Sequence, residues 1–169
     1  MPDYVDNRLI ITCKDNNLRD KIERVIFMKN DKGEQVFTMK KLLPMPKGSE
    51  ENPDYSDYGY YWCNAIWGTK WDVRYNKTIH SGDSYIFFYQ TAWDPNIRWV
   101  KALWSYIEEI SFLHKGNEEI SVTLSFWKEY EEIGTQIIWT PGQEYIIEEN
   151  VKYEPIIETS QSRESKSEN

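Results

Sequence analysis

The order of strand-like and helix-like patterns along the chain is the feature that most limits its possible folds. Residues 9–13 form a β-branched run that predicts a central strand. Asp15 and its neighbours then supply N-cap chemistry, and apolar residues recur at helical spacing over 18–26. Alternation over 71–75 and an aromatic, β-branched run at 85–89, separated by a glycine turn, predict a hairpin. The first half of the chain therefore predicts a strand, a helix and a strand pair.

A second helix is predicted directly after this hairpin. Asp94 is a favourable N-cap, and Pro95 fits the first helical position. One apolar stripe follows at helical spacing, made of Ile97, Val100, Trp104 and Ile107. Strands are then predicted at 120–126 and 135–139, with a last alternating segment behind the turn at 141–142. This order predicts an α+β fold of split βαβ, or ferredoxin-like, topology, with an antiparallel sheet, two helices on one face and extra C-terminal strands.

The length of the chain fits one domain. Its 169 residues, 40% of them hydrophobic, suffice for one substantial core and are too few for two ordinary domains. Residues 47–58 are rich in Gly, Ser, Pro and acids, which predicts an exposed loop. Residues 158–169 contain no apolar side chain and predict a disordered acidic tail. We therefore expect a single domain over 1–157 followed by this tail.

Charge and composition exclude several classes of function. The net charge of −8 disfavours bulk nucleic-acid binding, which depends on Lys and Arg, and is compatible with docking onto a basic partner. Without a long apolar run or a basic, apolar leader, we expect a cytoplasmic protein with no membrane contact. The 2 cysteines are too few for a disulfide scaffold or an iron–sulfur cluster. His80 and His114 lack further ligands at metal-binding spacing, so neither a metal nor a cofactor is predicted.

Residues 61–72 (YWCNAIWGTKWD) are the most unusual stretch of the chain and allow two interpretations. In the first, Trp67 and Trp71 are core anchors joined by a tight turn at Gly68, which can adopt positive φ. In the second, the indoles stack on the ring of a small ligand while Lys70 meets an anion and Asp72 lies beside it. The candidate ligand-binding residues are therefore Trp67, Lys70, Trp71 and Asp72.

A second candidate region is acidic. Glu129, Glu131 and Glu132 lie between the two predicted late strands and are expected to form a solvated rim that contacts a basic protein surface. Neighbouring acids face different directions, so a general acid–base pair is not predicted. No nucleophile–base pair, phosphate-binding loop or dinucleotide fingerprint is present. We therefore expect no catalytic residues and a function other than that of an enzyme.

Three sequence blocks resemble the YubB ferredoxin-like family of plasmid- and phage-borne proteins. They are LPMP at 43–46, YWCNAIWGTKWD at 61–72 and FYQTAWDP at 88–95. The chain departs from the family at 94–96, where the family carries an additional proline, and its last strand region lacks an aromatic-Ala-Gly sequence. The resemblance implies a ferredoxin-like fold encoded on a mobile element, and it implies no reaction.

Two functions of different classes follow. The first is a non-catalytic accessory protein of a phage or plasmid that binds a host protein, for example as an inhibitor of a defence system. The alternative is a protein that binds or sequesters a nucleotide in an aromatic pocket near Lys70. A third use, single-strand recognition by Tyr85, Phe87 and Tyr89, fits the charge poorly, and burial beneath the helices is the better account of at least one sheet face.

Overall fold

The computed structural model describes residues 3–46, 57–113 and 119–153. Within them the helices are α1 (Asn16–Ile26), α2 (Asp57–Ile66) and α3 (Ile97–Leu113). The strands are β1 (Tyr4–Cys13), β2 (Phe27–Lys29), β3 (Gln35–Phe37), β4 (Arg74–Ser81), β5 (Ser84–Ala92), β6 (Ile120–Lys128), β7 (Ile133–Trp139) and β8 (Ile146–Lys152). The predicted tail and most of the predicted loop lie outside the described residues, and residues 57–58 of that loop begin α2.

Six strands form one sheet in the order β4-β5-β1-β6-β7-β8, and every neighbouring pair is antiparallel. β1 is central as predicted, pairing with β5 on one side and with β6 on the other. β2 and β3 form a separate two-stranded sheet. The chain is therefore an α+β protein built on a six-stranded antiparallel sheet.

The two predicted helices begin for different local reasons. The Asp15 carboxylate accepts a hydrogen bond of 3.0 Å from the Leu18 amide, which confirms the predicted N-cap of α1. The start predicted for α3 is wrong by two residues, because Pro95 lies outside the helix, which begins at Ile97. The Asn96 carbonyl accepts the hydrogen bond from the Val100 amide, and the Tyr89 hydroxyl donates to the Asn96 side chain. None of the described helices is long and apolar enough to cross a bilayer.

The core lies on one face of the sheet. Buried and half-buried residues alternate along β1, and the buried set joins α1 and α3 residues in one hydrophobic cluster. Phe37 contributes an aromatic centre, with its ring centroid 4.8 Å from that of Phe87 and 5.4 Å from that of Trp99. Tyr85, Phe87 and Tyr89 are 6%, 0% and 2% exposed, so the expected burial is confirmed and these rings present no surface to a nucleic acid.

Three features differ from the local patterns. The hairpin of β2 and β3 was not predicted, because three-residue strands carry too little alternation to stand out. Helix α2 covers the first part of the aromatic segment, where Cys63 packs into the core and tertiary contacts outweigh weak aromatic helix propensity. The strand predicted from Trp71 begins only at Arg74, since Trp71 still belongs to the turn that follows α2.

Candidate binding cleft

The glycine turn after α2 places the aromatic segment. The Trp67 and Gly68 amides both donate to the Cys63 carbonyl, at 2.9 and 3.1 Å, and Gly68 has a φ of 82°. This is the left-handed helix ending that glycine favours, and it confirms the tight turn predicted at Gly68. The segment after this turn contacts the end of β5, where the Thr69 hydroxyl donates a 2.9 Å hydrogen bond to the Ala92 carbonyl.

Trp67 lies in the core. Its side chain is fully buried, and its indole N–H donates a 3.0 Å hydrogen bond to the Leu43 carbonyl. The Trp62 ring packs edge-on against it at 5.2 Å. This position is that of a core anchor, the first of the two interpretations, and it leaves the indole no open face for a ligand.

The Asp72 carboxylate is held by three hydrogen bonds. It accepts hydrogen bonds from the Thr38 hydroxyl at 2.6 Å, the Met39 amide at 3.0 Å and the Val73 amide at 2.9 Å. Thr38 and Met39 lie more than thirty positions earlier in the chain. The carboxylate therefore ties the segment after β3 to the start of β4.

Lys70 belongs to a ladder in which cations and aromatic rings alternate, made of Trp93, Lys70, Trp71, Arg74 and Tyr4. The Lys70 ammonium lies 4.5 Å from the Trp93 ring centroid and 4.8 Å from that of Trp71. The Arg74 guanidinium lies 5.4 Å from the Trp71 centroid and donates a 2.8 Å hydrogen bond to the Tyr4 hydroxyl. Both cations thus act as structural partners of rings.

The two ends of this ladder form walls of a cleft of about 280 Å³. It lies at the end of the sheet where β1 begins and where β5 and β6 end. Its lining residues are Asp3, Tyr4, Val5, Trp93, Lys128, Glu129, Tyr130 and Glu131. The structure therefore brings Glu129 and Glu131 to the same cleft as Trp93, which contacts Lys70. Glu132 is not among the lining residues, and its carbonyl accepts a 2.8 Å hydrogen bond from the Tyr153 amide.

Two aromatic residues of the cleft have left-handed backbones, with φ values of 72° at Trp93 and 68° at Tyr130. This conformation costs a bulky residue on the order of 1–3 kcal/mol, so surrounding contacts must enforce it. The Trp93 amide donates to the Asp3 carbonyl at 2.8 Å, and the Glu131 amide to the Lys128 carbonyl at 2.9 Å. These hydrogen bonds fix the backbone next to both aromatic residues, and the Tyr130 side chain itself is 95% exposed.

The electrostatic character of the cleft is acidic. Among its lining residues, Asp3, Glu129 and Glu131 contribute three carboxylates and Lys128 contributes one ammonium, while the Lys70 and Arg74 cations contact the Trp93 and Tyr4 side chains of its walls. Glu129 raises the pKa of the Tyr130 phenol, through a hydrogen bond and its negative charge. Such a set of rings and carboxylates can bind a cation.

The sequence pointed to only part of this cleft. The acidic run identified Glu129 and Glu131, whereas Tyr4, Trp93 and Tyr130 carried no local signal of a site. No group of three or more His, Cys, Asp or Glu side chains in 3–46, 57–113 and 119–153 is arranged to hold a metal ion.

Comparisons with known proteins assign no family. No protein-family model, no curated protein and no solved structure matches the chain. Function is therefore inferred from the cleft and its chemistry.

Proposed function

We propose that this chain is a non-catalytic binding protein that captures a basic side chain of a protein partner in the cleft between Trp93 and Tyr130. The observation that carries this proposal is the combination of aromatic walls with the carboxylates of Glu129 and Glu131 in one concave site. A guanidinium or ammonium group gains from ring faces and from charge-assisted hydrogen bonds at once. The net charge of −8 favours approach of a basic surface.

The size of the cleft supports a single side chain as the ligand. Its volume of about 280 Å³ is just below the range of roughly 300–1,000 Å³ found for drug-sized ligands. A protein partner would insert one Arg or Lys there, while the remaining contact area comes from the surrounding surface. Buried Arg anchors of this kind often dominate the binding energy of an interface.

The biological setting comes from the resemblance of the three sequence blocks to plasmid- and phage-borne proteins. In that setting the partner is a host protein in the bacterial cytoplasm, and inhibition of a defence system is the action we propose. We also propose a ferredoxin-like core, supported by the strand order β4-β5-β1-β6 and by α1 and α3 sharing one hydrophobic cluster. The strands β7 and β8 then extend that core at one edge.

Nucleotide sequestration near Lys70 is the second candidate. It is favoured by Trp93, a residue that is 38% exposed and whose ring lies beside the ammonium. The contacts of Lys70 with two rings and of Asp72 with three donors give it less support than the acidic cleft. A melting temperature that stays unchanged across a nucleotide panel would exclude it.

The ligand chemistry can be tested with N-acetyl-arginine amide and its neutral citrulline analogue. We expect the charged compound alone to shift the NMR resonance of the Trp93 indole N–H. The same titration with the Glu129→Gln, Glu131→Gln double variant should show at least a tenfold weaker response, because both carboxylates are lost while the side-chain shape is kept. Equal shifts from the two compounds would contradict a cation site.

Partner capture from a bacterial lysate provides the second test. A partner bound by the wild-type chain should be lost from the Glu129→Gln, Glu131→Gln variant and released between about 50 and about 300 mM salt. The matched control is Glu108→Gln, Glu109→Gln, which removes the same charge from exposed positions of α3. Equal loss in both variants would indicate nonspecific charge attraction and would contradict the assignment to the cleft.

A further inference from the structure

The sheet face opposite the hydrophobic cluster carries a continuous apolar row. Strand register aligns one β-branched residue from each of the six strands, and we call this set the isoleucine row. From β4 to β8 it consists of Ile79, Ile86, Ile10, Thr123, Ile138 and Ile146. Ile79 and Ile146 are 38% and 49% exposed, and the four residues between them are half-buried.

A second row runs beside it and differs in charge from one edge to the other. From β4 to β8 it consists of Lys77, Phe88, Arg8, Ser125, Gln136 and Glu148. The Ser125 hydroxyl donates to the Gln136 side chain, which donates to the Glu148 carboxylate, each at 2.9 Å. These bonds fix the polar half of the row. The Arg8 guanidinium in the middle of the row lies 5.6 Å from the Trp127 ring centroid, and the row has a lysine at one edge of the face and a carboxylate at the other.

The apolar character of the isoleucine row is unusual for a solvent-facing sheet surface. An antiparallel sheet with one solvated face normally alternates apolar residues inward and polar residues outward. Here isoleucine occupies five of the six outward positions in the row. A contiguous apolar row that is exposed at both ends and half-buried between them marks an interaction site.

We propose that a second copy of the chain packs on this face, related by a two-fold axis parallel to the strands. That rotation places β4 of one copy over β8 of the other. It preserves position along the strands, so each row faces the same row of the second copy in reverse order. Ile79 then faces Ile146 of the second copy, so the isoleucine rows cover one another. Lys77 faces Glu148 of the second copy, so opposite charges meet at both edges. A face that complements itself in this way is what an isologous dimer requires.

The area agrees with a reversible dimer. Six strands about 4.8 Å apart span about 29 Å. The face has four residue rows, which pass through Asp6, Arg8, Ile10 and Thr12 of β1 and extend about 20 Å along the strands. Two such faces bury roughly 1,200 Å² together, at the lower end of specific interfaces. The interface lies on the sheet face, whereas the cleft proposed above lies at the strand ends, so the two proposals stand independently.

Sedimentation velocity from about 1 to about 200 μM tests the dimer. We expect concentration-dependent dimerisation of the wild-type chain and a monomer at every concentration for Ile79→Lys, Ile146→Lys. Both positions are exposed on edge strands, so this variant should keep its circular dichroism spectrum. The control is Phe112→Lys, Leu113→Lys, which changes residues of α3 that are 86% and 71% exposed and should leave the dimer intact.

Charge reversal provides the sharper test of the orientation. Lys77→Glu and Glu148→Lys should each weaken dimerisation at least fivefold, because each places like charges together twice. The combined variant should recover at least half of that loss, since the opposite charges meet again. A wild-type chain that stays monomeric at every concentration would overturn the proposal, and the face would then bind a partner other than a second copy. A dimer that survives the isoleucine changes, or a combined variant weaker than both single ones, would overturn it too. Glu129→Gln, Glu131→Gln should leave dimerisation unchanged, which separates the two proposals.

Discussion

Replacing Asp72 with alanine should destabilise the fold strongly, although the side chain belongs to a segment that its sequence marks as a candidate binding site. The Asp72 carboxylate accepts hydrogen bonds from the Thr38 hydroxyl and from the Met39 and Val73 amides. Thr38 is 3% exposed and Met39 is fully buried, so water cannot easily replace the lost acceptor. The variant therefore leaves donors unsatisfied inside the protein.

The expected magnitude follows from these contacts. A hydrogen bond to a charged group contributes about 1.5–3 kcal/mol, and a buried donor left unpaired costs about 1–3 kcal/mol. The Val73 contact is local to the turn, so the Thr38 and Met39 contacts dominate the tertiary effect. We expect Asp72→Ala to lower the free energy of unfolding by about 3–5 kcal/mol. That is a large part of the roughly 5–15 kcal/mol of an ordinary domain.

Asp72→Asn should cost only about 1–2 kcal/mol, because the amide oxygen still accepts from the Met39 and Val73 amides. The amide N–H₂ group can then donate to the Thr38 hydroxyl. Thr38→Val removes both the donor to Asp72 and the acceptor of the Lys40 amide at similar volume, and should also cost about 1–2 kcal/mol. The double variant Asp72→Ala, Thr38→Val should be more stable than the sum of the single effects predicts, by about 1 kcal/mol or more.

Urea unfolding followed by tryptophan fluorescence measures all of these values. The control is Asp20→Ala, which removes an exposed carboxylate from α1 and should stay within about 0.5 kcal/mol. A loss below about 1 kcal/mol for Asp72→Ala would refute the structural role. The residue would then be free to act as a ligand for a small molecule.

Three further predictions concern the fold and the cleft. Gly134→Ala should lower the free energy of unfolding by about 2–3 kcal/mol in urea melts, because the added methyl group meets the Phe126 carbonyl and the Trp127 ring; a neutral effect would contradict the close packing. Trp93→Gly should melt higher than Trp93→Ala, by the equivalent of about 1 kcal/mol, since glycine relieves the φ of 72°; the reverse order would exclude strain there. Burial raises the pKa of the Cys63 thiol from 9.0 to about 11. The unfolded chain therefore loses this proton first, and the free energy of unfolding should fall as pH rises from 9 towards 11. Cys63→Ala should reduce the slope of this pH dependence, and an unchanged slope would contradict the raised pKa of Cys63.

Local patterns were sufficient for the central elements. Helices α1 and α3 have apolar residues at helical spacing, and strands β1 and β5 have short apolar runs. Both patterns involve residues only a few positions apart, so the sequence alone shows them. Helix α2 and the short β2–β3 hairpin depend on packing against residues far away in the chain, so no local sequence pattern predicts them.

The candidate site shows the same division. Charge alone marked Glu129 and Glu131 as a contact surface, and glycine chemistry alone marked the turn at Gly68. Only the tertiary structure decided that the Trp67 indole packs in the core, because that required the Leu43 carbonyl as its hydrogen-bond partner. Only the pairing of β1 with both β5 and β6 brought Trp93 to the acidic residues, since strand register joins positions that lie far apart in sequence.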